Sequence, residues 1–242
     1  MRKGIKITLN ILLISLLCFS IYKVCFKLYD YKKADITYNQ INEIQNNKNT
    51  TNLDAYLKLK ELNPDYKFWI NIENTNVDYP VVQANDNSFY LKKDFYKNDS
   101  SSGAIFLDHR NNYTKDFNVL IYGHNMKNQT LFNNVEKYKK EDFFKQNNKI
   151  TISDDKFKHT YEVFSVYVAD GTIGRNSHLS VKSSPSTEEI QSYINTIKEK
   201  SLFKSNLKIE PTDKIISLVT CSYEKFDVRT IVHAKLINTE EI

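Results

Sequence analysis

The sequence predicts a mainly β domain, folded as a sandwich or a closed barrel, behind an apolar N-terminal segment. Between residues 67 and 237, eight short segments rich in β-branched and aromatic residues alternate with turn-forming residues. The chain contains 16 Tyr, 14 Phe and 5 Gly, a composition that suits a β-rich core. With 242 residues, 40% of them hydrophobic, it is long enough for one good-sized globular domain with additional segments.

The N-terminus reads as a membrane anchor. Residues 7–22 carry no charge and follow the basic residues Arg2, Lys3 and Lys6. This run is slightly short for a bilayer span, but flanking lysines can extend it by reaching the interface. Because no small-x-small cleavage site follows, we predict a retained signal anchor, residues 1–28, rather than a cleaved signal peptide. Lysines flank the apolar run on both sides, so the positive-inside rule does not decide the orientation in the membrane. The short N-terminal tail favours an N-terminus inside the cell and an exported domain.

Residues 29–62 are predicted to form a helical linker. Its second part, 51–62, is denser in apolar residues and begins at a Thr or Asn cap. Asn-Pro at residues 63 and 64 breaks this helix, and residues 63–242 are assigned to the β domain.

Eight segments of the β domain are predicted strands, interrupted by two helical regions. The strands are 67–72, 77–83, 103–109, 117–124, 149–153, 159–169, 214–223 and 229–237. The first helical region, 130–147, aligns four apolar residues on one face: Leu131, Phe132, Val135 and Tyr138. The second, 186–200, starts with a capping box formed by Ser186 and Glu189.

Composition and motif spacing argue against several functional classes. The net charge of +5 is mild and dispersed, which fits a nearby anionic membrane or cell wall better than nucleic acid. No paired Cys or His spacing typical of zinc is present, and no glycine-rich phosphate loop. We therefore expect no metal and no cofactor.

Cys221 is the main candidate for chemistry. It is the one cysteine beyond Cys25, so the exported domain cannot form an internal disulfide. A free cysteine is usually a small buried hydrophobe. Cys221, however, ends a predicted strand among polar neighbours, and an unpaired thiol outside the cell risks oxidation. A nucleophilic role is the alternative, and it requires a partner that takes the proton.

The histidines are the candidate proton carriers. His124 follows Gly123 at the end of a predicted strand, which would place its imidazole at the rim of a sheet. His109 ends another strand and is the main competitor. His233 lies mid-strand, where packing or solvation is expected, and His159 and His178 fall in polar contexts.

Arg229 begins the strand after Cys221. A hairpin between the two strands would bring the guanidinium beside the thiol, where it could donate hydrogen bonds to an oxyanion. A solvated surface arginine is the ordinary alternative. Asp227 could instead orient a histidine, although acidic residues are common in turns.

These segments resemble a known family. "LVTCSYEKFDVRTIVHAKL" resembles the Thr-Cys…Arg signature of sortases, and "NVLIYGHNMKNQTLFNNVEKYKKEDFF" is similar to the histidine segment of class B sortases. The resemblance runs from about residue 62 to 237. It implies an eight-stranded sortase β-barrel with N-terminal helices and a helix before the cysteine strand.

The resemblance also implies an activity. Such enzymes are membrane-anchored cysteine transpeptidases on the outer face of Gram-positive cells. They cleave an exported protein after the threonine of a C-terminal sorting motif and join it to an amine of a cell-wall precursor. Cys221 matches the nucleophile, His124 the general acid and base, and Arg229 the carbonyl-binding arginine. Four further residues match the peptide groove: Leu107, Thr220, Ser222 and Glu224. The short Cys-to-Arg loop and His109, where tyrosine is common, depart from the family pattern near the groove.

Three alternatives remain open from the sequence. A cysteine endopeptidase would form the same acyl-enzyme and pass it to water. A non-catalytic surface-binding domain would leave Cys221 inert. An L,D-transpeptidase is disfavoured, because its Ser-x-Gly-Cys context is missing around Cys221.

Overall fold

The fold is a closed β-barrel, which decides between the two predicted architectures. A computed structural model describes residues 2–170, 185–222 and 228–242. Predictions about His178, Glu224 and Asp227 lie outside these residues. The barrel order is β1-β2-β3-β4-β7-β8-β6-β5. The strands are β1 (Tyr66–Ile72), β2 (Asp78–Val82), β3 (Ile105–Leu107), β4 (Asn118–Tyr122), β5 (Lys149–Ser153), β6 (Phe157–Asp170), β7 (Ile215–Ser222) and β8 (Val228–Glu241).

Two helices precede the barrel, as predicted. Helix α1 (Arg2–Gln45) is continuous from the apolar segment into the predicted linker, and α2 (Asn52–Leu62) follows it. Thr51 caps α2, and its hydroxyl accepts a hydrogen bond from the backbone N–H of Asp54. Along the apolar first part of α1 the side chains are exposed, and this part is long and apolar enough to cross a membrane.

The predicted helix over residues 130–147 is divided in two. A 3-10 helix occupies Phe132–Lys139, and α3 (Glu141–Gln146) follows it. The final helix, α4 (Thr187–Glu199), precedes the cysteine strand and carries the predicted capping box of Ser186 and Glu189. The helix expected before that strand is therefore confirmed.

The barrel buries apolar side chains on both of its faces. Residues such as Phe68, Leu218 and Val232 fill the inside of the barrel. Tyr38 and Ile41 of α1 belong to the same continuous hydrophobic cluster. The alternate residues Val219 and Ile231 point to the other face and pack against α4. This second cluster covers the outer side of β4, β7, β8 and β6.

A buried polar network crosses the outer cluster. The Ser217 hydroxyl lies 2.7 Å from Asn118 Oδ1, which can only accept, so the hydroxyl donates there. His233 Nδ1, also 2.7 Å from Ser217 Oγ, must then donate to it. His233 Nε2 is left as the acceptor for the Tyr167 hydroxyl at 3.2 Å, and Asn118 Nδ2 donates to Tyr193 at 2.8 Å. The network joins β4, β7, β8, β6 and α4.

Complete burial keeps His233 neutral. Its side chain has no exposed surface, and desolvation lowers its pKa from 6.5 to about 3. Histidine in the unfolded chain takes up a proton below about pH 6.5, whereas the folded chain excludes it. The folded state therefore loses stability as the pH falls from about 6.5 toward 3.

This linkage predicts a measurable change in stability. The free energy of unfolding of the full chain in neutral detergent should fall by about 2 kcal/mol between about pH 7.5 and 5 through His233. In His233→Gln, which is less stable at neutral pH, this component should be absent. Denaturant unfolding at both pH values measures it, with His109→Gln as the control. Equal pH dependence in the wild type and His233→Gln would contradict the assignment.

Candidate active site

Three neighbouring strands bring together the three residues expected to carry chemistry. Strand β4 pairs with β7 in parallel, with Tyr122 opposite Val219. Two residues further along each chain are His124 and Cys221. Strand β8 pairs with the other edge of β7 in antiparallel orientation, and Arg229 lies directly opposite Cys221. The backbone positions 124, 221 and 229 therefore meet at one rim of the barrel, with the cysteine in the centre.

Gly123 holds the chain against β7 just before His124. Its N–H donates to the Val219 carbonyl at 3.2 Å, which continues the pairing one residue past β4. A Cβ at position 123 would lie 2.7 Å from the Phe132 ring, so the close approach requires glycine. The Phe132 N–H in turn donates to the His124 carbonyl at 3.1 Å. Both contacts fix the backbone that carries the imidazole.

The His124 ring is oriented by a backbone carbonyl. Its Nε2 lies 2.9 Å from the carbonyl oxygen of Leu91, and His124 is half-buried. Because a carbonyl can only accept, Nε2 must carry a proton and donate it. Nδ1 is then the nitrogen that can exchange a proton with a reacting group.

The Leu91 carbonyl lies close against a glycine turn. Gly103 has φ +62, and a Cβ there would lie 2.6 Å from the Tyr90 oxygen and 2.9 Å from the Leu91 oxygen. The Gly103 carbonyl accepts a hydrogen bond from the Tyr38 hydroxyl of α1 at 2.9 Å. A line of contacts thus runs from α1 through Gly103 and Leu91 to His124.

Arg229 is half-buried at the start of β8, and its Nη1 donates to the Val228 carbonyl at 3.1 Å. The next residue, Thr230, is fully buried and donates to the Glu136 carboxylate, which also pairs with Lys139. Glu136 therefore supports the start of β8 from the 3-10 helix.

The residues matched to the peptide groove occupy different environments. Leu107 is 1% exposed and packs in the main core. Thr220 is 2% exposed, and its hydroxyl has no hydrogen-bond partner among the described residues. Ser222 pairs with Val228 at the end of β7, where its backbone is described. Their roles in substrate binding stay predictions, as does that of Glu224.

The competing histidines lie elsewhere. Strand β3 runs antiparallel to β4, so His109, beyond its end, lies toward the start of β4 and away from His124. Its Nδ1 is 3.7 Å from the buried Asp108 carboxylate. His159 lies 3.6 Å from Asp154 on the β5–β6 hairpin, and His233 belongs to the buried network. Within the described part of the chain, no three His, Cys, Asp or Glu side chains cluster as metal ligands.

Sequence reasoning missed Leu91, Gly103 and Glu136. Leu91 acts through its backbone, which leaves no signal in residue type. The chain contains only 5 glycines, and the scarcity of this residue type could have indicated that Gly103 occupies a left-handed turn. Glu136 sits among lysines on a polar helix and looks like a solvated residue.

Comparisons with known proteins assign the chain to a family. The sortase domain family matches residues 70–237. Sortase B of Listeria monocytogenes is 29% identical over 95% of this chain and 96% of its own. A mutant form of Clostridium perfringens sortase B has a TM-score of 0.78 and 37% identity, covering 84% of this chain and 97% of that one. A Staphylococcus aureus sortase B–substrate complex has a TM-score of 0.77 and 25% identity, covering 87% and 99%.

The eight-stranded barrel and the similarity to known sortases identify the protein as a sortase-type enzyme, a cysteine transpeptidase. The chain belongs to the sortase family, and its relatives are class B sortases.

Replacing Gly103 tests the contact line to His124. Gly103→Ala should lower the free energy of unfolding by about 1–3 kcal/mol, because alanine is strained at φ +62 and its Cβ meets two carbonyls. The displaced Leu91 carbonyl should also shift the His124 ring signals in NMR spectra. Gly4→Ala, whose Cβ meets nothing within 4 Å, is the control. Unchanged stability and unchanged His124 signals would refute the proposed contact line.

Proposed function

We propose that this chain is a membrane-anchored transpeptidase that uses Cys221, His124 and Arg229. It cleaves exported proteins after the threonine of a C-terminal sorting motif. It then transfers the new acyl group to an amine of a cell-wall precursor. The observation that carries the proposal is the strand order β4-β7-β8, which brings positions 124, 221 and 229 to one rim.

The first half of the reaction forms a thioester. The Cys221 thiolate attacks the carbonyl carbon of the threonine, and Arg229 donates hydrogen bonds to the oxygen as negative charge develops on it. The bond to the leaving nitrogen breaks, and His124 protonates that nitrogen as it departs. The products are an acyl-enzyme and a free C-terminal fragment with a new amino group.

The second half returns the enzyme to its starting state. The acceptor amine attacks the thioester carbon and loses a proton to His124, and the Cys221 thiolate leaves. The Leu91 carbonyl supports this cycle, because it engages Nε2 and leaves Nδ1 to exchange protons. No metal or cofactor takes part in these steps.

The membrane assignment rests on α1. We propose that residues 1–28 are the retained anchor, 29–62 the helical connection and 63–242 the catalytic domain on the extracellular face. The long, exposed apolar start of α1 supports an anchor at this end of the chain. The Staphylococcus aureus relative forms a complex with a substrate, which supports a peptide substrate here.

Intact-mass spectrometry tests the proposed chemistry. The full chain in neutral detergent should gain the mass of a Pro-x-Thr peptide up to its threonine, and Cys221→Ala should gain nothing. His124→Gln and Arg229→Gln should slow acylation by about 100-fold or more, whereas His109→Gln should leave it unchanged. If the wild type forms no adduct with any peptide of the library, the enzymatic proposal fails and a binding domain is favoured.

The acceptor distinguishes transfer from hydrolysis. Added triglycine should speed the loss of the acyl-enzyme and give a peptide conjugate, because a neutral amine is a better nucleophile than water. Release of hydrolysed peptide alone, at a rate independent of triglycine, would favour the endopeptidase.

A further inference from the structure

An apolar cavity of about 360 Å³ lies inside the barrel, at the end opposite the candidate active site. Val119 and Ile216 line it near the starts of β4 and β7, whereas His124 lies beyond the end of β4. Apolar cavities of only about 150 Å³ bind small hydrocarbons in other proteins. Six apolar side chains of the inner face form its wall: Phe68, Val119, Ile152, Tyr161, Ile216 and Leu236.

The acidic groups at the mouth of this cavity are compensated within the protein. The buried Asp154 carboxylate accepts hydrogen bonds from the backbone N–H groups of Lys156 at 2.9 Å and Phe157 at 2.8 Å. Its other oxygen accepts the Tyr113 hydroxyl at 3.1 Å. Asp155 and Lys156 follow each other in the turn between β5 and β6 and carry opposite charges, so together they add no net charge.

Lys214 lies at the same mouth and lacks such compensation. Its carbonyl accepts from the Leu236 N–H at 2.9 Å, so the pairing of β7 with β8 continues through it. Because Lys214 precedes Ile216 by two residues, its side chain lies on the inner face, along the cavity. Its ammonium donates to the Thr114 carbonyl and forms no ion pair with the described residues. Burial lowers the pKa of Lys214, although Asp116 opposes the shift.

This arrangement favours an anion with a hydrocarbon part. An ammonium has three N–H donors, and the Thr114 carbonyl takes one from Lys214. A half-buried charge without a counter-ion is costly, so a carboxylate beside it would be stabilised, whereas a cation would be repelled. The apolar wall behind Lys214 adds affinity for every methylene group that it removes from water.

From these features we infer that the far end of the barrel binds an aliphatic carboxylate. The alkyl chain enters the cavity among the six apolar side chains, and the carboxylate accepts hydrogen bonds from Lys214 at the mouth. The ammonium sets the orientation of the ligand, and the buried hydrocarbon contributes the larger part of the affinity. This site shares no residue with the proposed acyl transfer.

A methyl NMR titration tests the site. The full chain, ¹³C-labelled at its isoleucine δ1 methyl groups, is held in phospholipid nanodiscs, because free detergent would compete for an apolar cavity. Hexanoate is added, and hexanamide serves as the uncharged match. The Ile152 and Ile216 signals should shift saturably with hexanoate, whereas that of Ile231, in the outer cluster, should not. Hexanamide should bind at least about tenfold more weakly.

Variants separate recognition of the carboxylate from partition into an apolar space. Lys214→Met should weaken hexanoate binding at least about tenfold, because it removes the charge and keeps an unbranched apolar stem. Its affinity for hexanamide should stay unchanged, which also shows that the cavity is intact. Lys208→Met, at an exposed lysine that pairs with Glu210, is the matched control and should change neither affinity.

A third ligand separates an alkyl acid from the C-terminus of a peptide. N-acetylleucinate carries its carboxylate beside an amide, as a peptide C-terminus does. It should bind more weakly than hexanoate, because the amide would lose its water in the apolar cavity.

Three results would overturn the inference. Absence of a saturable shift at Ile152 and Ile216 would mean that the cavity takes no such ligand. Equal affinity for hexanamide, or full hexanoate affinity in Lys214→Met, would mean that the carboxylate is not recognised. Tighter binding of N-acetylleucinate would assign the site to peptide C-termini. Acyl transfer is not measured in this titration, so the inference and the proposed function can fail independently.

Discussion

The parallel pairing of β4 with β7 is the constraint on which the site depends. Parallel neighbours need a long crossover, and here the chain builds β5, β6 and α4 between them. Because both strands run in one direction, both end at the same rim, and residues nearly 100 positions apart become neighbours. The hairpin partner β8 then returns along the other edge of β7. Closure of the barrel keeps this register, since a slip of one residue would turn every side chain to the opposite face.

Buried polar contacts fix the positions of these strands relative to one another. Apolar packing is less directional and constrains these positions less. On the outer face, Asn118, Ser217 and His233 lie on three neighbouring strands. Their side chains are linked by hydrogen bonds through the Ser217 hydroxyl. At the rim, Glu136 holds Thr230, and Leu91 holds His124. Each contact has a defined geometry and leaves a costly unpaired group if it is broken. The barrel thereby places His124 and Arg229 on fixed backbone.

The sequence predicted the local features and left the long-range ones open. Alternating apolar residues located the strands, and Ser186 with Glu189 marked the start of α4, because both signals are local. The Gly-His strand end singled out His124, but only the register separates it from His109. Residues 130–147 read as one helix, yet the 3-10 helix begins only after Leu131, which has φ 52. The extended residue Lys140 then separates it from α3. The contacts to the Leu91 carbonyl and to Glu136 depend on tertiary structure and leave no local pattern.

The most direct test of the account is the pH dependence of Cys221 alkylation. The rate at which iodoacetamide modifies the Cys221 peptide would be followed by mass spectrometry in a Cys18→Ser, Cys25→Ser background. If the strand order places a histidine and an arginine beside the thiol, His124→Gln and Arg229→Gln should each shift the profile, because a nearby cation favours the thiolate. His109→Gln should not. Profiles that coincide in all four proteins would contradict the assignment of these residues to one site.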